Sequence, residues 1–281
     1  SSPGGGGAEM SGREKFRQTP IDPKVLKRIR EDRICNQMGP AMRFAHRDMA
    51  TRADIEREKT FKGFSRPPMY RDLPPHIVKL IGERRKDKLT FLAGAMNMDQ
   101  MPPEGLPEVC FCGRSNVGKS SVINAVTLST TVKSSDKPGM TQSFNFYQLP
   151  RRLMVVDLPG YGFAFAERHK MEAWRVLMDS YARERKALKR AFVIIDARHG
   201  LKHNDIEFLN RLELAKTSFQ IVMTKCDLVG DEDLARRHTI VQDQIMHYTK
   251  CLKTIRMCSG YTGAGLKDLA QDMHALSLKD E

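Results

Sequence analysis

Residues 113–120 read Gly113-Arg114-Ser115-Asn116-Val117-Gly118-Lys119-Ser120, a phosphate-binding loop of the form G-x-x-x-x-G-K-[ST]. Upstream, Glu108-Val109-Cys110-Phe111-Cys112 has the apolar run of a strand, and Ser121-Val122-Ile123-Asn124-Ala125-Val126 continues as a helix. That order dictates the local chemistry. Two glycines let the backbone turn so that successive N–H groups converge on phosphate oxygens at a helix N-terminus. Lys119 brings a point charge toward the β- and γ-phosphates, and the Ser120 hydroxyl suits Mg²⁺. A strand–loop–helix of this kind demands a mostly parallel sheet with helices on both faces, and it implies a bound nucleoside triphosphate.

Base preference is written further along. Phe219-Gln220-Ile221-Val222-Met223 is a short apolar run ending in Thr224-Lys225-Cys226-Asp227, which matches T/N-K-x-D. A carboxylate held in the purine plane accepts from N1–H and the 2-amino group of guanine; adenine offers neither and leaves it unpaired. The aliphatic stem of Lys225 can cover the base face. Thr224, Lys225, Cys226 and Asp227 therefore point to GTP and GDP rather than ATP. Leu153-Met154-Val155-Val156 leads into Asp157-Leu158-Pro159-Gly160, a D-x-x-G in which Asp157 serves Mg²⁺ and the Gly160 N–H senses the γ-phosphate. Between the two lies Gly139-Met140-Thr141-Gln142-Ser143, where Thr141 is the candidate for a second protein hydroxyl on Mg²⁺. Cys258-Ser259-Gly260, after a strand beginning near Thr254, offers backbone N–H groups to the guanine O6. The reaction roles fall to Lys119, Thr141 and Gly160; the metal ligands are Ser120, Thr141 and Asp157; Arg114, Ser115, Asn116, Val117 and Ser121 complete the nucleotide cradle.

Taken in order, these residues resemble the EngB/YihA (YsxC) family of ribosome-biogenesis GTPases. The resemblance rests on Pro107-Glu108-Val109 before the phosphate loop, on Lys137-Pro138-Gly139-Met140-Thr141-Gln142, and above all on Asp157-Leu158-Pro159-Gly160-Tyr161-Gly162-Phe163-Ala164. It runs from about Leu89 to Leu278. It implies GTP hydrolysis and work on the immature large ribosomal subunit, with rRNA, ribosomal proteins and other assembly factors as partners and a single copy on the ribosome. Small signalling GTPases carry a water-orienting glutamine after D-x-x-G; here Tyr161 stands there, so slow intrinsic hydrolysis is expected. Related GTPases with an asparagine at the position of Asn116 use it to bind K⁺. A local hydrogen bond within the loop is the other reading of that residue. A scaffold component that holds GTP or GDP without turnover is the alternative to an enzyme.

The chain has 47 Lys+Arg against 34 Asp+Glu, a net charge of +13. One phosphate loop needs one lysine, so the excess points to a polyanion, here RNA. Residues 1–85 read as a basic N-terminal extension, partly helical and partly extended, and 86–281 as the nucleotide-binding domain. The favoured role for the extension is a docking arm over ribosomal RNA and protein; the alternative is a helical cap packed on the domain. Within it, 42–61 suits an exposed helix and 61–75 reads as extended. The opening Ser1-Ser2-Pro3-Gly4 lacks an initiator Met, as expected of a processed or truncated start. With the basic extension this favours the mitochondrial matrix, with a plastid or the bacterial cytoplasm as alternatives. Six cysteines at Cys35, Cys110, Cys112, Cys226, Cys251 and Cys258 form no C-x-x-C and read as free thiols. No apolar stretch approaches the roughly 20 residues that span a bilayer, so no membrane insertion is expected. No lipidation cysteine stands at the C-terminal end, which argues against a membrane signalling GTPase.

From Leu89 the expected elements alternate. Strands are read at 89–95, 108–112, 144–149, 153–157, 192–196, 218–224 and 254–258, and helices at 120–128, 166–189, 205–214, 233–250 and 266–276. The short link between Leu149 and Leu153 predicts an antiparallel hairpin. Asp196-Ala197-Arg198-His199-Gly200 reads as a turn closed by Gly200. Trp174 reads as packing. Tyr161 and Phe163 form either a nucleotide-dependent contact surface or a self-packed loop.

Overall fold

The computed structural model describes residues 11–35, 89–132, 143–150, 152–161 and 168–278. Seven strands form one sheet: β1 (Thr90–Ala95), β2 (Glu108–Gly113), β3 (Phe144–Leu149), β4 (Leu153–Asp157), β5 (Leu188–Asp196), β6 (Phe219–Thr224) and β7 (Cys251–Met257), in spatial order β1-β3-β4-β2-β5-β6-β7. Strands β2, β4 and β6 are buried along their whole length, which is why their sequences are unbroken apolar runs rather than alternating ones. β4-β2-β5-β6-β7 pair in parallel, whereas β1 and β3 add antiparallel strands at one edge, with Leu149 opposite Leu153 in the expected hairpin.

Helices cover both faces: α3 (Lys119–Val126), α4 (Arg168–Glu184), α5 (His203–Leu214), α6 (Asp231–Ile245) and α7 (Leu266–Ser277). Alternation along β2 decides which face each meets. Val109 and Phe111 pack with Val122 and Ile123 of α3 and Leu269 and Met273 of α7. Cys110 and Cys112 face the other way, into a cluster with Met178 and Tyr181 of α4, Leu209 of α5 and Leu234 of α6. β4 lies on one side of β2 and β5 on the other, so the crevice beyond the C-terminal end of β2 is where this class of sheet takes its ligand.

Two expected boundaries move for visible reasons. The helix read to Lys189 stops at Glu184 and β5 starts at Leu188, because Arg185 turns inward to bond the buried carboxylate of Glu108 (Nη2–Oε1 2.6 Å). The helix read to Lys250 ends at Ile245, where the Lys253 ammonium caps the carbonyls of Ile245, Met246 and Tyr248.

The N-terminal segment departs most from expectation. Residues 11–35 form α1 (Gly12–Gln18) and α2 (Pro23–Glu31), and α2 packs against α6. Ser11 and Glu14 close a capping box, and Asp22 caps α2 with Pro23 in its first turn. Ile29 and Ile34 are buried in the same core cluster as α6, with Ile21, Val25 and Leu26 half-buried beside them. Burying an isoleucine contributes about 1.5–3 kcal/mol, which favours the docked position of the segment. Residues 11–35 thus pack on the domain core, in the manner of the helical cap. The expected elements at 42–61 and 61–75 lie outside the described residues.

Candidate functional site

Gly113 ends β2 where it passes the end of β5: a Cβ there would come within 2.6 Å of the Ile194 carbonyl oxygen. The chain then turns through Asn116 (φ 61°) and Gly118 (φ 95°), left-handed conformations that aim the intervening amides in one direction. The N–H groups of residues 116–120 meet no acceptor among the described residues. They sit at the N-terminus of α3, where the helix dipole adds positive potential. This is a nest built for an anion.

Lys119 forms an ion pair with Asp157, and both side chains are largely buried. Burial raises the Asp157 carboxyl above its ordinary range by more than the Lys119 charge lowers it. A buried carboxylate that one lysine does not fully compensate, close to the start of α3 where Ser120 stands, fits a divalent cation. Gly160 lies flat on the phosphate loop, since a Cβ there would approach the Ser115 nitrogen to 2.9 Å. Leu158 N–H donates to the Phe111 carbonyl at 3.0 Å and so pins the D-x-x-G segment to β2.

On the base side Asp227 is 8% exposed in the short turn Cys226–Leu228. Lys225 (φ 57°) sends its ammonium to the Asn116 carbonyl at 2.5 Å and to Asp196 at 3.1 Å, with its stem beside Gly118. The Thr224 hydroxyl is occupied by the carbonyls of Val117 (2.5 Å) and Ile195 (3.1 Å), so it pegs the phosphate loop to the sheet. The Cys226 thiol points to the Met223 carbonyl and into the core. Cys258 and Ser259 do not offer the expected amides: their N–H groups already donate to Met223 and Ala264. Of the three amides read as facing O6, only that of Gly260 lacks a partner among the described residues. Gly260 packs on Ser121, where a Cβ would meet backbone at 3.1–3.2 Å, so this loop and α3 share one wall.

Asp205 and Asp196 were not visible in the sequence as site residues. Asp205, read only as a helix residue, is fully buried and accepts from Arg114 Nε (3.1 Å), Tyr161 OH (2.9 Å) and Lys202 N–H (2.7 Å). Tyr161 is buried, stacks on Phe208 at 4.5 Å, and lies 6.3 Å from Trp174. Burial, then the Asp205 charge, pushes its hydroxyl well above the usual tyrosine range. The residue after D-x-x-G is therefore locked inward, in a self-packed arrangement. Asp196, at the turn closed by Gly200 (φ 68°), binds Arg198 at 2.7 Å and Lys225. Burial would raise its carboxyl, but the Arg198 and Lys225 hydrogen bonds outweigh it and hold it at about 2. Ser143 bonds Asn145 at the start of β3; Gly139, Met140, Thr141 and Gln142, with Gly162 and Phe163, lie outside the described residues.

Among the described residues no helix is long and apolar enough to cross a membrane, and all six cysteines are free. Residues 108–225 match the family model described as 50S ribosome-binding GTPase. The probable GTP-binding protein EngB of Gluconobacter oxydans is 42% identical over 184 residues, 65% of this chain and 81% of that protein. Its namesake from Caulobacter vibrioides is 40% identical over 193 residues, 68% and 84% of the two chains. A crystal structure of a probable GTP-binding protein engB superposes with a TM-score of 0.48 at 18% identity, over 60% of this chain and 97% of that one. With the phosphate loop, the D-x-x-G and the T-K-x-D gathered at one end of a parallel sheet, the chain belongs to the EngB family of GTP-binding proteins.

Proposed function

We propose that the protein hydrolyses GTP while bound to an immature large ribosomal subunit, and that it does so in the mitochondrial matrix. The observation that carries the enzymatic part is the nest of amides at residues 116–120, without acceptors among the described residues, beside the Lys119–Asp157 pair. The phosphates seat on those amides. Lys119 exchanges Asp157 for the transferring phosphate and stabilises its charge, Ser120 and Asp157 would hold Mg²⁺ with Thr141 as a further ligand, and Asp227 selects guanine. When bound, Mg²⁺ neutralises charge on the β- and γ-phosphates. Gly160, flat against Ser115, registers whether the γ-phosphate is present.

Hydrolysis is slow in isolation, because Tyr161 is tied to Asp205 and orients no water. A ribosomal partner completes the site. The match to a family of 50S ribosome-binding GTPases and the net charge of +13 support rRNA and large-subunit proteins as that partner. The matrix location rests on the long basic stretch ahead of Thr90. The Asn116 side chain is exposed and makes no hydrogen bond among the described residues, which leaves its amide oxygen available to K⁺.

Single-turnover hydrolysis with and without purified large-subunit particles tests this reading. The expected result is slow turnover alone and at least tenfold stimulation by particles, with co-sedimentation in a non-hydrolysable GTP analogue and release in GDP. Absence of phosphate release under both conditions would replace the enzyme with a nucleotide-holding scaffold. Equal rates in K⁺ and Na⁺ at matched ionic strength would end the role given to Asn116.

A further inference from the structure

We propose that residues 11–35 are a nucleotide-retention element: α1 and α2 brace, from behind, the two loops that frame the guanine ring. This inference rests on the reading of Asp227 as the guanine-selecting carboxylate. The brace works at three points, two of them on loops of the base site and the third running through Lys225 to the phosphate loop.

Ile34, buried just after α2, sits against Gly265, where a Cβ would come within 3.1 Å of the Ile34 Cδ1. Gly265 (φ 71°) closes the loop that begins at Cys258 and N-caps α7. Arg28 forms an ion pair with Asp268 in the first turn of α7, and Asp268 also meets Arg256 of β7 at 3.4 Å. The loop that carries Gly260 is thus held between Ile34 below and Arg28 beside.

The second point is the segment that follows Asp227. Arg30 lies 3.6 Å from Asp231, which opens α6 four residues beyond Asp227. The Cys35 thiol feels the same carboxylate: burial, then the Asp231 charge, pushes it up to about 12. The third point is longer. The Phe16 ring of α1 lies under the Arg237 guanidinium at 4.5 Å, and Arg237 donates to the Arg198 carbonyl at 3.3 Å. Arg198 holds Asp196, Asp196 holds Lys225, and Lys225 holds the phosphate-loop carbonyl of Asn116.

Recognition by Asp227 requires its carboxylate in the guanine plane to within about 0.5 Å and 10–20°. Displacement of the segments 227–231 and 258–265 would loosen the contacts on which the base is held. A brace that opposes their movement lengthens residence; a brace that merely adds stability does not. The two roles give different data.

The test uses the full chain and a fluorescent GDP analogue, following dissociation by stopped flow alongside thermal melting of the same variants. Ile34→Ala is expected to speed dissociation about tenfold, and Phe16→Ala about threefold, within the range by which residues of a packed network tune a remote site. Leu149→Ala, buried at the far antiparallel edge, serves as a control for general destabilisation: it lowers the melting temperature and leaves the dissociation rate within twofold. Phe16 is only half-buried, so its variant reads out the brace even if Ile34→Ala fails to fold. Dissociation unchanged in Phe16→Ala and in any folded Ile34→Ala, or accelerated equally by Leu149→Ala, overturns the proposal. Failure of the wild-type chain to bind the GDP analogue overturns the nucleotide reading itself, and this inference with it.

Discussion

Replacing Asp205 with alanine removes the acceptor for three donors at once: the Arg114 guanidinium, the Tyr161 hydroxyl and the Lys202 amide. Hydrogen bonds to a charged group are worth about 1.5–3 kcal/mol each, and breaking a buried ion pair costs about 3–5 kcal/mol. These do not add, because the donors share one carboxylate. Arg114 is 24% exposed and partly recovers its solvation, which pulls the total below the buried-pair figure. The expected loss is about 3 kcal/mol, or roughly 6–12 °C at 2–4 °C per kcal/mol for a domain of this size. Tyr161→Phe removes one donor, leaves the carboxylate two others, and keeps the stack on Phe208; it should cost about 1.5 kcal/mol. Because Arg114 and Tyr161 flank the phosphate loop and the D-x-x-G, Asp205→Ala should also weaken GDP binding several-fold, whereas Tyr161→Phe should not. Urea unfolding of nucleotide-free protein, with GDP titrations on the same preparations, measures both. A loss under about 1 kcal/mol for Asp205→Ala, with GDP affinity intact, would refute the view that this carboxylate fastens the phosphate loop to the second switch segment.

Arg185→Met strands Glu108, whose carboxyl burial already raises by more than Arg185 lowers it, and should cost about 3 kcal/mol in unfolding experiments; Glu108→Gln added to it should recover part of that loss. Asp196 titrates at about 2 in the folded chain against an ordinary 3.8, so the unfolded state binds the proton first as pH falls. Its stabilisation is complete above about pH 4 and disappears toward pH 2, and Asp196→Asn should flatten that part of the stability–pH curve. Gly160→Ala places a methyl 2.9 Å from the Ser115 nitrogen, so equilibrium titration should show weakened binding of a non-hydrolysable GTP analogue and a smaller change for GDP.

Much of the fold was legible because a phosphate loop between a strand and a helix permits few architectures, and β2, β4 and β6 are short apolar runs bounded by turns. Boundaries slipped where a side chain far away decided them. Nothing near Arg185 announces that it will reach Glu108, and nothing near Lys253 that it will cap the preceding helix. Asp205 was invisible for the same reason: its acid at the third helical position looks like ordinary capping, while its partners Arg114 and Tyr161 lie 91 and 44 residues away in the chain. The N-terminal cap had a signal that charge obscured. Asp22 before Pro23 marks a helix start, and Val25, Leu26 and Ile29 share one face, yet the surrounding Lys and Arg made the segment look solvated. At Cys258 and Ser259 position alone was misleading, because a loop can place its amides near a base and still spend them on itself.

The most direct measurement is calorimetric titration of the full chain with Mg²⁺ and GDP, ADP or xanthosine diphosphate, repeated on Asp227→Asn. GDP should bind at least about a hundredfold more tightly than ADP, as expected where a buried carboxylate must be paired. The asparagine variant should lose GDP and gain xanthosine diphosphate, because its amide donates where the carboxylate accepted. Comparable binding of ADP and GDP by the native chain, or a GDP affinity that Asp227→Asn leaves untouched, would contradict the account.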